Sequence, residues 1–96
     1  MKEEYIDRVP PHNLEAEQAV LGAIFLDNKV IVSVSEILTP EDFYRMAHQK
    51  IYHAMLSVHN KNIPVDIVSV VTELSNSNQI EDIGGTPYIR ELAAAV

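Results

Sequence analysis

Prolines and glycines are few in this sequence and stand at regular breaks: Pro10-Pro11, Pro40, Pro64, Gly84-Gly85 and Pro87, with Gly22 alone inside an apolar stretch. Proline interrupts a helix or a sheet ladder, and a glycine pair marks a turn. Between the breaks, apolar residues recur mostly at helical spacing. The chain is thereby cut into short helices that cannot hide an apolar face alone. The expected fold is all-α, a compact bundle of about five to six short helices joined by short loops.

The first helix has the clearest start. Pro10-Pro11 disfavours helix before it, Asn13 supplies a cap, and Glu15 and Glu17 complement the positive helix end, so the helix begins at or near Leu14. Residues 1–12 read as an extended N-terminal arm and residues 13–96 as one helical domain. From Ala19 to Leu26 the sequence AVLGAIFL is apolar on every side, which suits a helix surrounded by others, the central one of the bundle. Gly22 costs about 1 kcal/mol relative to alanine in mid-helix. A close backbone crossing would offset that cost, through ordinary internal packing or, less simply, a subunit contact.

Further along, Lys29 to Leu38 alternates like a strand at Val30, Val32 and Val34 but also carries Ile31, Val34, Ile37 and Leu38 at helical spacing; context favours helix. Thr39-Pro40-Glu41-Asp42 has the cap, proline and acid of a helix start, followed by a longer helix over roughly Tyr44 to Asn60. Asp66 caps the next helix, whose Ile67, Val70, Val71 and Leu74 form one stripe. Ile80 and Ile83 are candidate core contacts from a loop, and Gly84-Gly85-Thr86-Pro87 opens a last helix. The chain stops inside that helix without a cap, as a piece of a longer protein would.

Composition narrows the function. Of 96 residues, 47 % are hydrophobic, which argues against disorder. The longest apolar run falls far short of the roughly 20 residues that span a bilayer. Cysteine is absent and the first residues are charged, so the expected setting is cytoplasmic, with neither disulfides nor a signal peptide. Fourteen acidic residues against seven scattered basic ones give a formal charge of -7, which suits a basic protein partner and leaves little to hold a phosphate backbone.

No catalytic, cofactor or metal site emerges. His48, His53 and His59 share a helix, but neighbours fall on different faces. The aligned pair, His48 and His59, is roughly 16 Å apart, too far to share a metal. All three read as solvated or partly packed. Gly84-Gly85-Thr86 lacks the lysine of a phosphate loop, and Asp66 lacks the following serine of an acyl carrier protein. The carboxylate pairs Glu41-Asp42 and Glu81-Asp82 sit at helix starts or turns. Glu17 leans towards the face that Val20, Leu21 and Ile24 bury. Two readings stay open for it: a bond from another helix, or, slightly preferred, a carboxylate that simply reaches solvent.

Four segments then stand in order: PPHNLEAEQAVLGAIFLD (Pro10 to Asp27), EDFYRMAHQKIYHAM (Glu41 to Met55), IPVDIVSVVTEL (Ile63 to Leu74) and IGGTPYIRELA (Ile83 to Ala93). In these the whole chain resembles the N-terminal domain of bacterial replicative hexameric DNA helicases, the DnaB-type family. Met46 and Thr86-Pro87 depart mildly from that pattern. The resemblance implies a parent protein that unwinds duplex DNA with ATP and Mg2+ bound in a downstream motor domain. It also implies a collar of N-terminal domains, a trimer of dimers within a hexamer, that docks the C-terminal domain of primase, with a helicase loader as a further candidate partner. Two positions in the matched segments are candidate partner contacts. Glu15 projects from the first turn of helix one, where dipole stabilisation alone is the simpler account. Tyr88 follows the proline of the last helix, where internal packing competes equally with docking. The alternative from another class, a small helix-turn-helix DNA-binding domain, lacks a basic recognition helix.

Overall fold

The computed structural model describes residues 13–95; the arm expected over residues 1–12 lies outside them. Five α-helices and one 3-10 turn follow in order: α1 (Leu14–Leu26), α2 (Val30–Ser35), the turn Pro40–Asp42, α3 (Met46–Asn60), α4 (Ile67–Asn76) and α5 (Gly85–Ala93). No strand occurs among the described residues. The all-α bundle expected from the sequence is the fold observed.

Helix starts follow local chemistry. The Asn13 side chain accepts the Ala16 N–H at 3.0 Å, which fixes the first turn of α1. At α4, Asp66 accepts the Ser69 N–H at 2.8 Å while the Ser69 hydroxyl accepts the Asp66 N–H at 2.9 Å, a reciprocal box that offsets the low helix propensity of the valines behind it. The Thr39-Pro40 signal produces less than its sequence suggests. The Thr39 N–H and hydroxyl both donate to Asp42, at 2.7 and 3.2 Å, but they close a single 3-10 turn. Phe43 then runs extended and is buried, its ring centroid 5.1 Å from that of Tyr52. Pulling Phe43 into the core delays α3 to Met46, two residues later than the spacing predicts.

The centre of the bundle is α3. It buries His48, Ile51, Tyr52, Ala54, Met55 and Val58 and packs on α4, α1 and the 3-10 turn. This corrects the expectation that α1 is surrounded. Helix α1 buries Leu21, Gly22 and Ile24, but Ala16 and Ala19 are exposed and Leu26 is 71 % exposed. Exposed apolar residues are common on protein surfaces and alanine is cheap to leave in water, so a short apolar run fits a surface helix equally well. Gly22 is buried within the domain, where internal packing places it.

Two polar side chains tie loops to this frame. The Asn28 amide donates to the Val65 carbonyl at 2.8 Å and to the Ile24 carbonyl at 3.1 Å, and its oxygen accepts the Val65 N–H at 2.6 Å. One side chain thus closes the end of α1 and fixes the approach to α4. Helix α2 is shorter than expected, and just beyond it the Leu38 carbonyl accepts the buried Tyr52 hydroxyl at 2.9 Å. Burial and the nearby Asp42 push the Tyr52 phenol upward, so it stays a donor. Between α3 and α4, Glu73 accepts from Lys61 at 2.8 Å and Ser57 at 2.9 Å. Those two bonds, Lys61 first, hold the Glu73 carboxyl below the ordinary carboxylate value.

After α4, Ile83 is buried and Ile80 half-buried, as the sequence suggests. Gly84 takes φ +104, and a Cβ placed there would meet Tyr88 Cβ at 3.1 Å. The positive φ favours glycine here, and the contact adds a tight approach for any Cβ. Glycine lets the loop turn close beneath Tyr88. No helix among the described residues is long and apolar enough to cross a membrane.

Candidate functional site

His48 is fully buried in the first turn of α3, within an otherwise apolar core. The expectation of solvated or partly packed histidines holds for exposed His53 and half-buried His59 and fails for His48. A buried imidazole needs partners for both nitrogens. Glu17 of α1 lies 2.7 Å from Nδ1 and the Tyr88 hydroxyl of α5 lies 2.6 Å from Nε2. No buried side-chain polar atom among the described residues is left without a partner.

Glu17 therefore does not end in solvent, the slightly preferred reading of the sequence. Its side chain is 13 % exposed and accepts the Tyr44 N–H at 2.6 Å and the Arg45 N–H at 3.4 Å in addition to His48. These are backbone groups at the start of α3, which the carboxylate caps from another helix. Burial raises the Glu17 carboxyl, but the bonds from His48, Tyr44 and Arg45 outweigh it and leave the group below the ordinary carboxylate value.

An ionised carboxylate only accepts, so Nδ1 of His48 carries a proton; in the neutral ring Nε2 then accepts the Tyr88 O–H. The phenol oxygen in turn accepts from Gln18 at 3.2 Å and Arg45 at 3.4 Å. The His48 and Tyr88 planes lie within 8° of parallel with centroids 5.9 Å apart. Parallel planes joined by a 2.6 Å contact are too close to overlap face to face. The rings meet through Nε2 and the hydroxyl rather than by their faces, and the Arg45 guanidinium carbon sits 5.9 Å from the Tyr88 centroid.

A carboxylate, an imidazole and a hydroxyl in series superficially resemble a nucleophile with its base. Here the histidine has no surface, and the phenol oxygen is filled by one acceptor and two donors. The arrangement is a clamp across α1, α3 and α5. Beside it lies an open groove of about 460 Å³ bordered by Arg45, Ala47, Ile83, Pro87, Tyr88 and Glu91. Tyr88 is half-buried and borders this groove, so packing and exposure coexist in one residue. Glu15 is exposed on the first turn of α1, on the same side as Gln18 one turn later. Among the described residues, no group of three or more His, Asp or Glu side chains is placed to share a metal ion.

Sequence reasoning picked out Glu17 and Tyr88 and missed His48, Gln18 and Arg45. One signal was present: His48, Ile51, Tyr52 and Met55 fall at i, i+3, i+4 and i+7, which puts the histidine on the buried face of its helix.

Comparison with known proteins bears on the chain as a whole. Residues 9–96 match the family described as the DnaB-like helicase N terminal domain. The chain is 59 % identical over 96 residues to the replicative DNA helicase DnaB of Geobacillus stearothermophilus, covering 100 % of this chain and 21 % of that protein. It is 53 % identical over 90 residues to the replicative DNA helicase DnaC of Bacillus subtilis, covering 94 % and 20 %. This chain thus spans about a fifth of the length of these relatives. The crystal structure of the N-terminal domain of DnaB helicase from Mycobacterium tuberculosis superposes with a TM-score of 0.87 at 44 % identity, over 91 % of this chain and 60 % of that one. With a family match across nearly all its length, and a fold shared with a solved member, this chain belongs to the DnaB-like helicase N-terminal domain family.

Proposed function

We propose that this chain is the collar and docking domain of a replicative DNA helicase. The parent protein unwinds duplex DNA at the replication fork, in the cytoplasm, with ATP and Mg2+ used by a motor domain elsewhere in its sequence. The observation that carries the reading is the end-to-end match to proteins named replicative DNA helicases by a domain whose buried polar cluster is closed on itself. Such a domain offers a rigid surface, not reactive groups. In the parent hexamer the domain packs as a trimer of dimers and binds the C-terminal domain of primase, with Glu15 and Tyr88 at the contact; a helicase loader is a further partner of the same collar.

Titrating the primase C-terminal domain into the complete N-terminal region of the parent tests this reading. Saturable binding that weakens on Glu15→Ala or Tyr88→Ala is expected. A folded N-terminal region that shows no interaction overturns it.

A further inference from the structure

Tyr88 borders the groove while its hydroxyl is bonded to the fully buried His48. Three groups reach the phenol oxygen, and they are not equivalent. Gln18 and Arg45 come from longer distances, 3.2 and 3.4 Å, on long side chains, and Arg45 is exposed. His48 is closer, at 2.6 Å, and has no exposed surface. It is held from behind by Glu17 at 2.7 Å, which also accepts from the Tyr44 and Arg45 N–H groups just before α3. The shortest bond to the Tyr88 hydroxyl thus comes from a residue that no partner can touch.

We propose that His48 is the positioning residue for Tyr88 in partner docking. The proposal rests on the docking role given to Tyr88 above. Binding that uses a pre-oriented aromatic ring avoids the cost of ordering it. With the His48 bond lost, the ring stays in place chemically but samples other orientations, and affinity falls by about three- to tenfold.

The test uses the full-length helicase and the primase C-terminal domain, with Kd and Tm measured for each variant. In His48→Asn the amide stands near Nδ1, keeps a bond to Glu17 and loses Tyr88. In His48→Gln the longer amide reaches the Nε2 position and keeps Tyr88 in place. Tyr88→Phe retains the ring and removes the hydroxyl. Expected are a Kd raised by about three- to tenfold in His48→Asn and in Tyr88→Phe, and no further rise when the two are combined. His48→Gln should bind nearly as the parent does, even where its Tm drops as far as that of His48→Asn.

A merely structural role makes affinity follow Tm in both His48 variants, and that result overturns the proposal. So does parental affinity in Tyr88→Phe, which decides the matter alone if the His48 variants do not fold. Tyr88→Ala separates the two levels. If it binds like the parent, the docking role of Tyr88 fails and the proposal with it; if it binds weakly while Tyr88→Phe and His48→Asn bind normally, positioning alone is overturned.

Discussion

Glu17 and His48 are 31 residues apart in sequence and 2.7 Å apart in space, and through that contact α1 both caps α3 and holds its buried histidine. Replacing Glu17 by alanine removes the acceptor for a fully buried imidazole and the carboxylate at a helix start. The expected loss is about 2 to 4 kcal/mol in urea unfolding. Glu17→Gln keeps an acceptor oxygen without the charge and should cost about 1 to 2 kcal/mol. An alanine variant as stable as the parent would show that the contact carries no net weight.

Acid sensitivity follows from the same carboxylate. Both Glu17 and Glu73 are held below the ordinary value of 4.5 in the folded chain. The unfolded chain then binds more protons, so stability rises with pH in that window: the contribution is fully present above about 4.5 and is lost as pH falls through the lowered folded values. Unfolding free energy measured between about pH 7 and about pH 3 should fall with acid, less steeply in Glu17→Gln. High salt distinguishes the two groups. Lys61 is 55 % exposed, so the Glu73 part should shrink with added salt, whereas the sheltered Glu17 part should persist. An acid slope identical in Glu17→Gln would sink the assignment.

Asn28 supplies three hydrogen bonds to backbone groups of Ile24 and Val65. Asn28→Ala should destabilise by about 2 to 3 kcal/mol, since it strips both a donor and an acceptor from a half-buried junction. Asn28→Asp is the sharper variant. Its carboxylate still accepts the Val65 N–H but cannot donate to either carbonyl, so it should remain destabilised while the Val65 amide stays partly protected. Amide exchange at Val65 measures this directly: alanine should speed it strongly and aspartate much less.

These contacts mark the limit of what the sequence discloses. Asn13 and Asp66 cap their helices through bonds three residues long, and such chemistry is legible because donor and acceptor lie within one turn. Pro64 and the Gly84-Gly85 pair likewise break the chain where they stand. Phe43 shows where local reading stops: Thr39-Pro40 signals a helix, but the pull of the core on Phe43 ends it after one turn. The clamp is less legible still. Glu17, His48 and Tyr88 come from three helices, and nothing local states that α1 and α5 flank the start of α3. The outward alanines of α1 misled for a related reason, since an apolar residue that costs little when exposed leaves no trace of which way it faces.

Gly84 provides a last test, because it is constrained twice. Its φ of +104 is costly for any residue with a Cβ, and that Cβ would lie 3.1 Å from Tyr88 Cβ, a backbone-attached atom with little freedom to yield. Gly84→Ala should therefore cost about 2 to 3 kcal/mol, more than a positive φ alone. Gly84→Asn discriminates between the causes. Asparagine tolerates left-handed backbone better than alanine, so it recovers stability if conformation dominates; the contact with Tyr88 is unchanged, so it recovers little if crowding dominates. The position of Tyr88 directly over Gly84 favours crowding, and both variants should then fall together in Tm while the Tyr88 ring resonances shift. Near-complete recovery by asparagine would show that the turn, and not the tyrosine above it, demands the glycine.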